Sequence, residues 1–577
     1  MSAATDRLRK PIPEQQFFLL LAIVIGVFSG LAVVCFRIAI EWCRLWLLGS
    51  ALVPPSRRII LAPALIGLVV AVLVIRFFPR ARGSGVNQTK GALYISDGYI
   101  PFNTVIGKFL TAGAAIGSGH SLGPEDPSLQ IGAGLASLIG RKLHLSRERM
   151  RLVAPVGAAA GLAAAFNSPI TAVLFVIEEV IGRWSAGILG SVVLAAVSSV
   201  VVERWFLGEA PLFRIPSIAL NHPGELAAYA VLGVIGGIAS VVFQKLIGLT
   251  RPRMKALPRW TQYFQPAAAG FLIGLIGLRF PQVMGAGYEF IDQAMHDQYT
   301  WQLLGLLAGF KILATTLSFS SGTPGGLFAP TLFVGAMLGG AVGSVERIFL
   351  PQLTVPIGAY ALVGMGTLFA GFLRAPMTSV FMILEVSGNY GIIVPVIISN
   401  TIAYLISRAF QRTPIFDLLS VQDGVYLPSM EEERETTILR VEDAMRLPTV
   451  PPLLTINSIA DSIALAEGSG EKHLLAVDPA GNWYGVGWTQ MLELQRAGAG
   501  GQALSGAELM PVPVLHPDHA LDVALRQIHT YPVMPVVHRV NIHELIGVVS
   551  VQDIVEAYRR AGRAAEDTKV AENLAAG

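Results

Sequence analysis

The chain has 577 residues, of which 53% are apolar and 14% are charged, and its mean hydropathy is +0.59. Such a composition excludes an ordinary soluble enzyme and predicts a helical protein that crosses a membrane several times. The net charge of +3 is unevenly distributed, because residues 421–577 carry an excess of acids and the first 420 residues carry an excess of bases. The bases gather in short loops between apolar stretches, so we expect these loops on the cytoplasmic side and no nucleic-acid surface.

The first fifteen residues are polar, and a mostly apolar run follows from Phe17 to Gly49. This run is too long for the core of a signal peptide and should remain as a membrane helix. Cys35 and Cys43 lie within it, eight residues apart. On one helix that spacing is ~12 Å of rise, too far for a disulfide, so the cysteines leave the redox compartment open.

Further apolar segments follow in two sets, separated by a proline-bearing connector at 207–224. The segments are 17–49, 59–78, 104–120, 128–140, 152–166, 170–182 and 186–206, and then 225–249, 266–280, 302–320, 328–345, 355–373, 376–386 and 391–410. Several are too short to span a bilayer of ~30 Å at 1.5 Å per residue. The sequence therefore predicts partly inserted helices that meet head to head.

The two sets resemble each other. Lys108, Ser118, Gly119, Gly123, Pro127 and Gly132 recur 203 residues later as Lys311, Ser321, Gly322, Gly326, Pro330 and Gly335. At an offset of 207, Gly157, Pro169, Thr171, Val173 and Glu178 recur as Gly364, Pro376, Thr378, Val380 and Glu385. Two glycine-rich apolar stretches can look alike by chance, but matched Lys, Pro, Thr and Glu at steady offsets favour a repeat. Repeats interrupted by Gly and Pro are typical of transporters, whose binding site lies between the repeats.

One stretch, GSGHSLGPEDPSLQIGAG at 117–134, places Glu125 and Asp126 side by side in an apolar region. A charged carboxylate inside a bilayer is costly and usually faces water or an ion path. Pro124 suits the first turn of a helix, whose free N–H groups would favour an anion at the break. These features predict an anion pathway with a proton-sensitive gate. The alternative is a structural turn whose acids reach the lipid headgroups.

Several stretches together resemble the CLC family of chloride channels and proton-coupled chloride antiporters. They are GSGVNQTKGAL (83–93), LGPEDPSLQIG (122–132), GAAAGLAAAFNSPITAVLFVIEE (157–179), GGLFAP (325–330) and TPIFDLL (413–419). The resemblance covers nearly the whole chain. It implies a polytopic α-helical membrane protein with a CLC-type inverted repeat of broken and tilted helices.

The resemblance also implies roles for individual residues. Glu125 matches the gating glutamate, and Glu179 matches the inner proton glutamate that antiporters carry. Ser84 matches the serine that donates to the central chloride, and the N–H groups of Leu327 and Phe328 would donate to the same ion. For Glu179 the residues leave another interpretation open, an acid at a helix end that pairs with Arg183. For Ser84 the alternative is an ordinary helix N-cap.

The sequence departs from the family pattern near these residues. Pro124 and Asp126 flank Glu125 where the family has Arg and Gly, so an N–H donor is lost and a negative charge is added. Phe416 replaces the central tyrosine and removes one hydroxyl donor to chloride, and Asn87 replaces a proline. We expect these changes to alter anion affinity, selectivity and coupling more than the fold.

After residue 412 the pattern changes to short β-type runs and amphipathic helices, in two copies about sixty residues apart. Each copy resembles a CBS domain, which predicts a cytoplasmic α/β pair. GVVSVQDI (547–554) is similar to the CBS nucleotide motif, with Ser550 and Asp553 placed for phosphate and ribose. The first copy has Trp488 and Met491 at the matching places. An adenine nucleotide is therefore one expectation, and a purely structural or dimer-stabilising pair is the other.

The predicted organisation is a cytoplasmic segment 1–15, a membrane domain 16–420 with halves 16–206 and 225–410, a linker 421–437, a CBS pair 438–562 and a tail 563–577. We expect a chloride–proton antiporter in the cell (inner) membrane with no enzymatic activity, metal or bound cofactor other than that nucleotide. The alternatives are a passive chloride or fluoride channel regulated by nucleotide, and a nucleotide sensor on a membrane scaffold. The family resemblance also implies a homodimer, which we place at 186–206 and 391–410 with their preceding short helices, because small residues there allow close helix approach in lipid. Those residues are Gly187, Gly190, Ala195, Ala196 and Ser198.

Overall fold

The computed structural model describes residues 14–49, 57–182, 186–209, 224–349, 356–425, 427 and 439–519, and 521–561 with gaps of one or two residues. The chain divides into two compact units, 1–434 and 435–577. The division falls within the stretch that the sequence predicts to be a linker. Each unit is described by itself.

Helices make up the first unit. They are α1 Glu14–Leu47, α2 Arg58–Arg76, α3 Val86–Tyr94, α4 Phe102–Gly117, α5 Glu125–Lys142, α6 Arg147–Phe166, α7 Pro169–Phe175, α8 Ala186–Leu207, α9 Glu225–Ala256, α10 Gln265–Arg279, α11 Tyr288–Met295, α12 Trp301–Ser320, α13 Phe328–Phe349, α14 Ile357–Leu373, α15 Pro376–Ser387, α16 Ile393–Phe410 and α17 Ile415–Gln422. A π-helical turn, Val176–Ile181, extends α7, and short 3₁₀ turns lie at Pro79–Ala81, Arg259–Tyr263, Pro281–Val283 and Tyr390–Ile392.

Within the described residues, eight helical stretches are long and apolar enough to cross a membrane. Others are much shorter: α7 has 7 residues and α11 has 8. Backbone groups at membrane depth must find partners inside the protein, so short helices can lie there only where neighbouring helices surround them. The predicted class, a polytopic α-helical membrane protein with broken helices, is confirmed, whereas the depth of the short helices in the membrane stays a prediction.

The two halves pack in the same order. Helix α1 packs on α8 as α9 packs on α16, and α5 packs on α6 as α13 packs on α14. The α5–α6 contact depends on Gly157, where an added Cβ would collide with the carbonyl oxygen of Gly132, and the α13–α14 contact repeats this with Gly364 and Gly335. The glycines that the sequence paired as a repeat therefore do the same work in each half, which is close approach of two helices.

Two buried lysines hold equivalent loops. Lys108 Nζ donates to Gly83 O at 2.5 Å, and Lys311 Nζ donates to Gly285 O at 2.7 Å. Each loop leads into a short helix, α3 or α11, through a glycine with positive φ at the N-cap position. The matched lysines thus position the starts of two short helices, one from each half.

The second unit is an α/β module. Strands β1 Leu453–Leu454, β2 His473–Val477, β3 Trp483–Gly487 and β4 Met510–Pro511 form one sheet in that order, with β1 and β2 parallel and the other pairs antiparallel. Strands β5 Val533–Val537 and β6 Leu545–Ser550 form an antiparallel pair. The helices are α18 Val441–Ala444, α19 Ile459–Ala466, α20 Trp488–Leu494 and residues 551–561. A helix follows each hairpin at once, so the two predicted copies are visible as two hairpin–helix units.

Candidate functional site

The candidate site lies where two helices are interrupted at equivalent places. Helix α4 ends at Gly117 and α5 begins at Glu125, while α12 ends at Ser320 and α13 begins at Phe328. The intervening loops pair with each other: Gly123 N donates to Gly326 O at 2.9 Å and Gly326 N donates to Gly123 O at 2.8 Å. Antiparallel pairing of equivalent residues is the relation that a local two-fold axis between inverted repeats produces. The two helix interruptions therefore meet at the repeat interface.

Glu125 is fully buried at this interface. Its Oε2 accepts a hydrogen bond from the N–H of Ala329 at 3.3 Å, and its Oε1 accepts one from the hydroxyl of Tyr288. Ala329 lies in the first turn of α13, where unpaired N–H groups and the helix dipole favour a negative charge. The anion-favouring N–H group that the carboxylate uses thus comes from the other half of the repeat.

Sequence reasoning did not find Tyr288. A signal was available, because Tyr288 follows Gly285–Ala286–Gly287, the repeat counterpart of Gly83–Ser84–Gly85. In the first half this loop supplies Ser84, the predicted chloride donor. In the second half the hydroxyl group comes instead from the first residue of the following helix.

Asp126 is also fully buried. Its Oδ2 accepts a hydrogen bond from the N–H of Leu327 at 3.0 Å, while Oδ1 has no hydrogen-bond partner in the described part of the chain. The N–H of Leu327 is one of the two groups for which the family resemblance implies donation to chloride. In this structure it donates to a side chain of the protein itself.

Ser84 is buried and its Oγ accepts a hydrogen bond from the N–H of Val86 at 3.3 Å. This bond spans two residues and closes a turn before α3, whose N-cap is Gly85, so Ser84 is not the N-cap of that helix. Because Oγ acts here as an acceptor, its O–H is still able to donate to an anion. The alternative interpretation of Ser84 as a helix N-cap is therefore wrong, and its role as a chloride donor stays a prediction.

Aromatic rings surround the other predicted chloride contacts. Phe328 packs on Phe175 with ring centroids 4.8 Å apart and on Phe369 with centroids 5.3 Å apart. The ring of Phe416 is buried and lies 6.4 Å from that of Phe175. Asn87 Nδ2 donates to the carbonyl oxygen of Phe416 at 2.8 Å, so the departure at Asn87 links α3 to α17.

Glu179 is 5% exposed and forms an ion pair with Lys90, Oε1 to Nζ, at 2.7 Å. Lys90 is fully buried and also lies 3.4 Å from Asp417 Oδ1. The alternative partner Arg183 falls outside the described residues. The sequence offered a signal for Lys90, a lone base on the short helix that begins just after Ser84, but did not show that it faces Glu179.

The neighbouring acid, Glu178, has a structural task. Its Oε2 accepts hydrogen bonds from the N–H and the hydroxyl of Thr378, at 2.9 and 2.7 Å. Glu385 does the same for Thr171, with Oε2 at 2.7 and 2.6 Å from those two groups. Each acid thus satisfies the open N-terminus of the other half's short helix, α15 or α7. This explains why Glu178 recurs in the repeat and Glu179 does not.

A cavity of about 440 Å³ opens beside this region. Arg80, Arg82 and Arg251 line it, and Asn87 in the first turn of α3 lies at its wall. Asp423 is a lining residue too, and it pairs with Arg251 at 2.7 Å. The cavity therefore carries a surplus of positive charge close to the helix that follows Ser84, which attracts anions.

Comparison with known proteins identifies the family. The family model described as voltage gated chloride channel matches residues 66–408. The chain belongs to the CLC family. The H(+)/Cl(−) exchange transporter ClcA of Salmonella arizonae is 32% identical to it over 415 residues, which are 70% of this chain and 87% of the relative. ClcA of Salmonella newport matches to the same extent.

Solved structures share the CLC fold. A slow cyanobacterial Cl⁻/H⁺ antiporter matches with a TM-score of 0.65 and 24% identity, over 72% of this chain and 99% of its own. A CLC-type fluoride/proton antiporter gives 0.60 and 23%, over 71% and 99%. A eukaryotic CLC transporter gives 0.59 and 20%, over 93% and 97%. The last likeness is longer than residues 1–434 and so extends into the second unit of this CLC protein.

In the second unit the predicted nucleotide residues contact each other. Asp553 Oδ2 accepts hydrogen bonds from the N–H and the hydroxyl of Ser550 at 2.8 and 2.6 Å and pairs with Arg446 Nε at 3.3 Å. Arg446 also pairs with Glu471 at 2.9 Å. Burial raises the pKa of Glu471, but hydrogen bonds from Thr449 and Arg446 and the guanidinium charge outweigh it, so this pKa lies below its usual range.

The cleft beside Arg446 and Glu471 has a volume of about 30 Å³, room for a water molecule and not for a nucleotide. An adenine nucleotide at Ser550 and Asp553 therefore stays a prediction.

Proposed function

We propose that this CLC protein is a proton-coupled antiporter that exchanges chloride for protons. The observation that carries the proposal is the placement of Glu125, a buried titratable acid that accepts a hydrogen bond from the Ala329 N–H in the first turn of α13, at the repeat interface. The name of the ClcA relatives, H(+)/Cl(−) exchange transporter, supports the same activity. A group that binds either as an anion or as a neutral acid can link the movement of the two ions.

The proposed gate follows from the contacts of Glu125. As a carboxylate it accepts from Ala329 N–H and Tyr288 O–H and so occupies the place of an anion. A charged acceptor is held about twice as strongly as a neutral one, so protonation weakens these bonds and lets the side chain leave. Chloride then finds the same donors unoccupied. Several neutral donors bind it weakly enough that it can also depart.

We assign the second proton site to Glu179. It is buried, is bound to Lys90 and has Val386 at the equivalent place in the other half. The ion pair with Lys90 fixes the position of the Glu179 carboxyl group, which we propose takes up a proton from the inner side. A proton loaded there passes to Glu125 through water, separately from the anion that contacts Ser84.

The homodimer is likewise a proposal. Helices α8 and α16 expose apolar side chains, among them Val193, Val197 and Val394, 38–51% exposed, and these suit a helix–helix contact in lipid. The small residues Ala195 and Ala196 do not contribute, because both are fully buried, and Ala195 lies against Gly26 of α1 in the same chain. We place the protein in the cell (inner) membrane with the second unit in the cytoplasm, on the side of the basic loops.

The full chain, purified and reconstituted into liposomes, tests the proposal when a chloride gradient is the sole driving force. We expect wild-type protein to move protons uphill as chloride runs down. Glu125→Gln should still conduct chloride and move no protons, because the amide mimics the neutral acid. Chloride flux without any proton flux in the wild type would indicate a passive channel, and flux of fluoride alone would contradict the assigned anion.

A further inference from the structure

The CLC pathway of this chain carries an acid that the proposed mechanism does not use. Asp126 follows Glu125 directly, has no exposed surface, and is held by one hydrogen bond to a backbone N–H of the other half. Its second carboxylate oxygen has no hydrogen-bond partner in the described part of the chain. A buried carboxylate normally accepts several hydrogen bonds, so an acid with only one of its two oxygens bonded needs an explanation.

The position of Asp126 parallels that of Glu125. The N–H groups of Leu327 and Ala329 lie on either side of Phe328 at the start of α13, and Asp126 takes the first while Glu125 takes the second. Both acids come from the first turn of α5 and both use N–H groups of α13. Two side chains of the protein thus occupy the donors that a helix N-terminus offers to an anion.

Glycine makes room for each acid. A Cβ added to Gly326 would lie 3.0 Å from Cγ of Asp126, and one added to its repeat counterpart Gly123 would collide with Oε2 of Glu125. The loops on both sides of the interface are therefore shaped around the two carboxyl groups. The fit indicates that the side chain of Asp126 belongs to the interface and is not an accidental neighbour.

The repeat shows that this contact exists on one side only. The counterpart of Asp126 is Ala329, and the counterpart of Leu327 is Pro124, which has no N–H to donate. Of these two equivalent positions only Leu327 has an N–H to donate, and Asp126 accepts its hydrogen bond. In the described residues no base lies within ion-pair distance of Asp126; the charge of the buried Lys108 acts on it without direct contact, and the Leu327 N–H is its hydrogen-bond donor.

We propose that Asp126 is a second tethered anion of the pathway, which competes with the transported anion for the N–H of Leu327. The inference rests on the proposed function, since it assumes that anions pass the start of α13. An anion can use this donor only when the carboxylate of Asp126 has left it. The two acids then hold adjacent places in series, and the protein binds chloride more weakly than Glu125 alone would make it.

Chloride binding to the purified full chain, measured by isothermal titration calorimetry, tests this competition without transport. We expect Asp126→Ala to bind chloride roughly 10-fold or more tightly than wild type, the range expected for removing a charge-assisted hydrogen bond. Asp126→Asn keeps the shape and a neutral acceptor for Leu327, so its gain should be smaller. Glu346→Gln is a matched control, because it neutralises a buried acid near the other end of α13; its affinity should not change.

A purely structural role predicts the opposite pattern. Asp126→Asn would then bind chloride with the affinity of wild type. Asp126→Ala would unfold at a lower temperature and would not bind chloride more tightly. A wild-type chloride affinity in either variant overturns the inference. Glu125→Gln separates the two proposals. If it binds chloride more tightly than wild type and the Asp126 variants do not, the inference fails and the proposed gate stands. If none of the variants binds chloride, both fail.

Discussion

The two halves of the membrane unit share the same helix packing but differ in the polar and acidic residues that they carry. Both use glycine pairs to bring two helices together, a buried lysine to hold a loop, and a glutamate to satisfy the other half's short helix. These elements are Gly132–Gly157 and Gly335–Gly364, Lys108 and Lys311, and Glu178 and Glu385. Residues that recur at equivalent places are therefore those that build the frame.

The residues that differ include those for which we propose transport roles. The first half carries a hydroxyl group, two acids at the helix interruption and one inner acid. At each of the four equivalent positions the second half has an apolar residue. The pairs are Ser84 and Ala286, Glu125 and Phe328, Asp126 and Ala329, and Glu179 and Val386. Comparison of the halves thus separates the residues that pack the repeat from those with proposed transport roles. Each prediction below changes one class of residue and asks whether the outcome follows that division.

The largest effect is expected at the glycine contacts. Gly157→Val and Gly364→Val each place side-chain atoms on the backbone of the facing helix, so each should lower the free energy of unfolding by about 3 kcal/mol or more. Thermal unfolding in detergent measures this. Gly305→Val is the control, because nothing lies within 4 Å of a Cβ at that exposed position of α12. A large loss of stability in only one of the two variants would contradict the view that the glycine contacts are equivalent in the two halves.

The mutual helix contacts should show a smaller and equal effect. Glu178→Ala and Glu385→Ala each leave two backbone N–H groups and a threonine hydroxyl without their carboxylate. We expect each to destabilise the protein by about 1–3 kcal/mol and to leave the proton-to-chloride ratio unchanged. Unfolding and flux on the same preparations test both parts. Loss of coupling in either variant would mean that a repeated residue also carries function.

The smallest effect concerns the missing hydroxyl at Phe416. Phe416→Tyr adds a neutral donor where the family resemblance implies one, so chloride should bind about 2- to 10-fold more tightly, as for one ordinary hydrogen bond. Calorimetry measures the affinity. Phe369→Tyr, another ring packed on Phe328, serves as the control and should give no gain. An equal gain in both variants would show that added polarity matters and the position does not.

Much of this organisation could be predicted from the sequence, because it rests on local patterns and on spacing. Short apolar segments indicated broken helices, steady offsets indicated the repeat, and an acid beside Pro124 indicated an anion-favouring break. Glu179 stood out because its counterpart is Val386. Such features depend on the residue types at known separations, which the sequence states directly.

The partners of these residues could not be predicted. Tyr288 reaches Glu125, Lys90 reaches Glu179, and Leu327 reaches Asp126 across long stretches of chain. Which side chains meet is decided by the packing of whole helices, and no local pattern records it. The small residues of α8 show the same limit, since Ala195 packs against α1 of the same chain and offers no surface to a partner.

The adjacent pair Glu178 and Glu179 gives the most direct test, because one acid is repeated and the other is not. The measurement is the ratio of proton to chloride flux in liposomes, recorded for Glu178→Gln and Glu179→Gln side by side. We predict that Glu179→Gln keeps chloride flux and loses proton flux, and that Glu178→Gln keeps the wild-type ratio with reduced stability. Proton pumping retained in Glu179→Gln, or lost in Glu178→Gln alone, would contradict the account.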